Sequence, residues 1–185
     1  VSHWGNLQTV GHTFFSFRFS DGKVLCLSVE ARREKGEDYS PLDGIFKQYE
    51  LIYVLGDERD LIGARCKYFD EEIYLYETRL NPKDSRQLLT SLLQAAEKLN
   101  KRPKFYNTLW RNCTTKLIDH LNTIEGVQVD RHPKTLLNGL SDQLAYDRGL
   151  LANDLSFPAL KHKSYISDIV INTELDANFS KNIRR

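Results

Sequence analysis

The chain has 185 residues, long enough to bury one core, and carries 26 Lys and Arg against 25 Asp and Glu, a formal net charge of +1. That balance excludes a global electrostatic pull toward nucleic acid or an anionic membrane surface. No apolar run approaches the roughly 18 residues that span a bilayer, and no secretory signal stands at the start.

The chain begins at Val1 and contains no methionine, as expected where a signal or anchor segment has been removed. Three cysteines, Cys26, Cys66 and Cys113, make no disulfide framework, because an odd count allows one pair plus one free thiol. A Cys26–Cys66 pair stays open on sequence grounds. No CxxC occurs, and His3, His12, His120, His132 and His162 lack metal-ligand spacing, so no metal and no other cofactor is expected.

Taken in order, residues 10–20 alternate as a strand. Thr13, Phe15, Phe17 and Phe19 lie on one face, and His12, Phe14, Ser16 and Arg18 on the other. A second strand runs from about Val24 to Arg33, with Leu25, Leu27, Val29 and Ala31 opposite Cys26, Ser28, Glu30 and Arg32. A three-residue Ser20-Asp21-Gly22 loop, with Gly22 left-handed, pairs Arg18 with Val24, Ser16 with Cys26, Phe14 with Ser28 and His12 with Glu30. Only that register joins like faces, and a slip of one residue would undo it.

Residues 34–48 read as a polar loop of functional length. Tyr49 to Leu55 is a third strand, Leu61 to Tyr68 is either strand or short helix, and Glu72 to Leu80 is a strand. Asn81-Pro82-Lys83-Asp84 starts a long helix with Leu88, Leu89, Leu92, Leu93, Ala96 and Leu99 on one face, ending before Pro103. A further helix is expected from about Thr135 to Arg148, closed by Gly149. Residues 150–185 carry few signals, and residues 1–3 and 180–185 are expected to fray.

The stretch between these helices carries the chemistry. Asn112 is a good N-cap, and Leu117, Ile118, Leu121 and Ile124 repeat at helical spacing until Gly126. Cys113 therefore falls in a first helical turn, where the helix dipole and a nearby imidazole favour the nucleophilic thiolate. His12 is the candidate base, and Glu30, beside it in the hairpin register, is placed to orient it. Backbone N–H groups at the helix start would hold an oxyanion; Asn107, six residues before Cys113, resembles the glutamine placed before the cysteine in papain-like enzymes and is a candidate helper, with Asn112 as its competitor. On composition alone a buried cysteine is more often core than nucleophile, and a strand histidine more often structural.

Several segments together resemble the Lnb N-terminal periplasmic domain family. They are Gly11-His12-Thr13-Phe14-Phe15-Ser16-Phe17, Ser28-Val29-Glu30-Ala31-Arg32-Arg33-Glu34, Gln48-Tyr49-Glu50-Leu51, Phe105-Tyr106-Asn107-Thr108-Leu109 and Asn112-Cys113-Thr114-Thr115, with Leu144-Ala145-Tyr146-Asp147 also fitting. The resemblance runs from about Trp4 to about Leu150. It implies a bacterial envelope protein, in the periplasm. The order of histidine strand before cysteine helix is similar to lecithin–retinol acyltransferase-type permuted papain folds, reversed from papain itself.

What the resemblance implies is a single permuted papain-like α+β domain over residues 1–185, with an antiparallel sheet packed on the cysteine helix and the long amphipathic helix. It implies acyl transfer through a thioester on Cys113 with His12 as base, from a lipid or peptide donor to a lipoprotein or other amine. Membrane association would then come through a segment outside this chain. A cysteine amidase or peptidase acting on cell-wall peptides uses the same triad, and a non-catalytic envelope module is the third reading. A greasy channel favours the first and a polar groove the second. Fold alone does not choose among them.

Overall fold

A computed structural model describes residues 1–4, 7–32, 49–107, 112–130, 137–152 and 154–184. The expected loop over residues 34–48 lies outside the described residues, as does the Thr108 to Arg111 part of the cysteine loop. The fold is α+β, as the sequence implies, but it has two three-stranded antiparallel sheets rather than one. The first sheet has the order β2 (Leu7–His12), β1 (Ser2–Trp4), β6 (Glu71–Ile73), and the second β3 (Phe14–Arg18), β4 (Val24–Arg32), β5 (Glu50–Gly56).

The run read as a single strand over residues 10–20 is thus divided. His12 closes β2, opposite Ser2, and Phe14 opens β3, opposite Ser28. Thr13 between them belongs to neither ladder. Beyond it the hairpin keeps the expected register, with Ser16 on Cys26 and Arg18 on Val24. Gly22 turns the chain at φ +83°, the left-handed conformation that glycine adopts without steric cost.

Strand β4 is central and both of its faces are covered. Leu27 and Val29 point into the main core with Leu51 of β5. Against that face pack Leu88 and Leu92 of α2 (Pro82–Lys101) and Cys113, Leu117 and Leu121 of α3 (Cys113–Leu121). Asn81 caps the long helix, accepting the Asp84 N–H at 2.9 Å, with Pro82 in its first turn. The sheet therefore lies on the long helix and the cysteine helix, as expected.

The opposite side of the molecule holds a second core. It joins Phe14 to Ile62 and Cys66 in a π-helical turn, Arg59–Gly63, continued by α1 (Ala64–Tyr68). The stretch 61–68, open between strand and helix, is thus helical. Of the strand expected over Glu72 to Leu80 only the start is in a ladder. Past Ile73 the chain makes single bridges, Tyr74 to Tyr165 and Thr78 to Leu151. A short 3-10 turn, Asn138–Leu140, leads into α4 (Ser141–Asp147), which Gly149 follows at φ +68°.

The last third is built from short helices, α5 (Phe157–Ser164), α6 (Ser167–Asn172) and α7 (Phe179–Asn182). Described residues near both ends, where fraying is expected, are packed. Ser2 and His3 are fully buried in β1, and Phe179 and Ile183 are fully buried in the second core. Arg184 forms an ion pair with Glu58, itself 0% exposed. All three cysteines are free and buried, so Cys26 and Cys66 are not bridged.

Candidate active site

Cys113 opens α3, and the local sequence explains why the helix begins there. Asn112 Oδ1 accepts the Thr115 N–H at 2.8 Å while Thr115 Oγ1 accepts the Asn112 N–H at 3.0 Å, a closed capping box. Asn112 is thereby occupied as a cap, as its position suggests. The Thr114 hydroxyl lies 3.9 Å from the Cys113 sulfur, and the backbone N–H groups of Thr13 and Thr114 lower the thiol against its burial. Thr13 reinforces this junction, with its Oγ1 3.3 Å from Thr114 Oγ1 and 2.6 Å from Ser141 Oγ. The end of β2 is thus pinned to the first turn of the cysteine helix.

His12 stands one residue before that junction. Its Nε2 lies 2.5 Å from the Ser28 hydroxyl, which donates to Glu30 Oε1 at 2.8 Å. Glu30 Oε1 is 3.7 Å from His12 Nε2 and accepts Arg65 Nη2 at 2.7 Å. Arg65 also reaches Glu71 at 3.2 Å and lies over the Phe14 ring. The structure brings the His12 and Glu30 side chains together with Ser28 between them, but not as the expected ladder pair: His12 lies opposite Ser2 in the first sheet, and the β3–β4 ladder ends at Phe14–Ser28. Among the described residues no hydrogen bond joins the imidazole to the Cys113 sulfur, and His12 Nδ1 has no hydrogen-bond partner.

Electrostatics correct one expectation. Burial pushes the Cys113 thiol above its ordinary value, against the hydrogen bonds that would lower it. Burial first, then the Arg65 charge, pushes the His12 imidazole well below its ordinary value. The resting pair is a neutral thiol and a neutral imidazole rather than an ion pair, because desolvation in this interior outweighs the helix dipole. Asn107 is buried at the end of a segment that runs beside β5, where Leu51 N–H bonds the Lys104 carbonyl and Tyr106 N–H the Tyr49 carbonyl, each at 2.8 Å.

A cavity of about 1000 Å³ adjoins the junction. Thr13 and Thr114 form part of its wall next to Cys113, and Phe15, Phe17, Leu80, Leu117, Leu151 and Ile166 give it an apolar lining. Asp142, buried and accepting the Tyr76 hydroxyl at 2.8 Å, supplies a polar patch. A second hollow of about 430 Å³ over Ser91 and Thr123 on the α2 surface shares no wall with the first turn of α3.

Sequence reasoning missed Ser28, Arg65 and Thr13 as parts of this arrangement. Ser28 was within reach, since alternation puts it on the Glu30 face of β4. Arg65 gave no signal, because it sits in the stretch that reads equally as strand or helix. Among the described residues no group of three or more His, Cys, Asp and Glu side chains could hold a metal ion.

Fold and site together define an α+β domain with a cysteine in the first turn of a capped helix, held against the end of a histidine-bearing strand. The chain belongs to the Lnb N-terminal periplasmic domain family, whose model matches residues 1–143. It is a periplasmic domain. Among the described residues no helix is long and apolar enough to cross a membrane. No curated protein and no solved structure matches the chain.

Proposed function

We propose that this domain is a cysteine acyltransferase of permuted papain-like design, which carries an acyl group as a thioester on Cys113 and passes it to an amine. The observation that carries this reading is the junction of the His12–Thr13 strand end with the first turn of α3, opening beside a cavity of about 1000 Å³ with a mainly apolar lining. Ligand sites span roughly 300–1,000 Å³, so the cavity has room for a long acyl chain. Each methylene buried there gains about 0.8 kcal/mol. That lining favours a lipid donor over a cell-wall peptide.

The steps balance without a cofactor. On substrate binding, His12 Nδ1 takes the thiol proton and the Cys113 sulfur attacks the ester carbonyl of the donor. The helix-start N–H groups, with Asn107 as helper, hold the oxyanion. The carbon–oxygen bond to the leaving alcohol breaks and the alcohol takes the proton from His12, leaving the thioester. An amine, such as the terminal amine of a lipoprotein, then attacks the thioester. Its surplus proton returns through His12 to the departing sulfur, which restores the thiol. Glu30 supports the imidazole from behind, and Asn112 fixes the helix start.

The test is to incubate the protein with phospholipid vesicles and read the mass of the Cys113 peptide. We expect an acyl adduct that neutral hydroxylamine removes, absent from Cys113→Ser and slowed by about 10²–10⁴ in His12→Ala, the usual reach of general base catalysis. No adduct from lipid together with cleavage of a cell-wall peptide would replace this reading with the amidase. No adduct and no cleavage would leave a binding module.

A further inference from the structure

His12 is held by a serine, and this decides which of its ring nitrogens is basic. Ser28 is fully buried in the centre of the second sheet. A hydroxyl has one proton to give. The Ser28 proton goes to Glu30 Oε1 at 2.8 Å, an oxygen that also accepts Arg65 Nη2 at 2.7 Å. The Ser28 oxygen is then left as an acceptor, and the group that faces it at 2.5 Å is His12 Nε2. A neutral imidazole with its proton on Nε2 carries its lone pair on Nδ1. Burial and the Arg65 charge keep the ring neutral.

The chain of contacts continues outward without a loose end. Arg65 Nη1 reaches Glu71 Oε2 at 3.2 Å, and Glu71 accepts the hydroxyl of Ser2. Arg65 thus binds Glu30 on one side and Glu71 on the other, which keeps the Glu30 carboxylate in its accepting role. The direction of the whole relay follows from the two cationic N–H contacts at its outer end.

We propose that Ser28 is the positioning residue for His12, fixing the tautomer that leaves Nδ1 as the basic nitrogen, with Arg65 and Glu30 setting the direction of the relay. What Nδ1 then does rests on the acyltransfer reading. The tautomer does not rest on it, and can be read without any substrate.

The experiment is long-range proton–nitrogen correlation NMR on the uniformly ¹⁵N-labelled chain at pH 7, with His12 assigned by its absence in His12→Asn. In the parent we expect a protonated Nε2 and an unprotonated Nδ1. Ser28→Ala should mix the two tautomers and slow formation of the Cys113 acyl adduct about 10- to 100-fold, the range seen when groups orienting metal-bound histidines are removed. Ser28→Thr should restore both. Glu30→Gln should keep the tautomer, because the amide oxygen still accepts the Ser28 proton.

A protonated Nδ1 in the parent overturns the proposal on its own, whatever the variants do. So does a Glu30→Gln variant that mixes tautomers while a folded Ser28→Ala does not, since Glu30 would then be the orienting group. Tautomer control by Ser28 without any acyl adduct on Cys113 would uphold this proposal while removing the acyltransfer reading.

Discussion

Arg184→Met tests how the last residues are held against the cavity. Glu58 is 0% exposed, and its Oε2 accepts Arg184 Nη1 at 2.7 Å while its Oε1 accepts Nη2 at 2.5 Å. The Ser16 hydroxyl is its remaining partner. Methionine keeps the apolar stem and removes both charge-assisted bonds, leaving a buried carboxylate with one neutral donor. Breaking a buried pair from one side costs about 3–5 kcal/mol. The Arg184 side chain is 26% exposed, so water can enter where the guanidinium was, and the lower end applies, about 3 kcal/mol.

That is a large share of the roughly 5–15 kcal/mol a domain has to lose. Urea unfolding at pH 7 reads it. With m of about 1–3 kcal/mol/M, the midpoint should fall by about 1–3 M. Adding Glu58→Gln should recover at least half of the loss, because the neutral amide no longer needs a countercharge. A loss under about 1 kcal/mol, or a double variant no better than Arg184→Met, would refute the account of a buried pair holding this segment.

Four further outcomes follow from single contacts. Burial first, then Lys116, lowers His120 to about 4, with Tyr53 and Ser91 hydroxyls on its two nitrogens at 2.9 and 2.8 Å. The unfolded chain takes up that proton first, so this stability is present above about pH 6.5 and is lost as pH falls toward 4; at about 1.4 kcal/mol per pH unit it amounts to about 3 kcal/mol. Urea titrations across that window should show a smaller acid loss in His120→Gln. Asn112→Ala removes the side-chain bond of the capping box, Thr115 N–H to Oδ1, and should cost about 1–2 kcal/mol in the same assay. A Cβ on Gly11 would collide with the Ser2 carbonyl oxygen, so Gly11→Ala should cost about 1–3 kcal/mol by prising β1 from β2. Alkylation of Cys113 in the absence of substrate should rise only above the ordinary thiol range of about 8.5, and Cys26, pushed up to about 12, should react only well above that range.

The hairpin could be read from sequence because both strands alternate and only one loop length joins like faces. The long helix was equally plain, with a cap, a proline and a leucine face in sequence. The C-terminal third was not, since its helices run eight, six and four residues, too short to form on propensity and held by Phe179, Ile183 and the Glu58–Arg184 pair. The overextended strand after Ile73 misled for a related reason. Leu75 packs against the second core, so the apolar alternation is real, yet its backbone finds single bridges to late segments instead of a ladder.

The division at Thr13 hid from the sequence because alternation runs through it unbroken, from Gly11 to Phe17. Side chains report which face they occupy and say nothing about which sheet the backbone has joined. Yet this break is what makes the site. A residue inside a ladder has its backbone direction set by a neighbouring strand. His12 is committed to β1 and Phe14 to β4, so only the residue between them is released from both. That residue meets the first turn of α3, its Oγ1 3.3 Å from Thr114 Oγ1, and its N–H lowers the Cys113 thiol against burial. The same step places the His12 ring on the Ser28–Glu30 side. A single continuous strand would have held Thr13 in one ladder instead of between two sheets, where its hydroxyl meets Thr114 and Ser141.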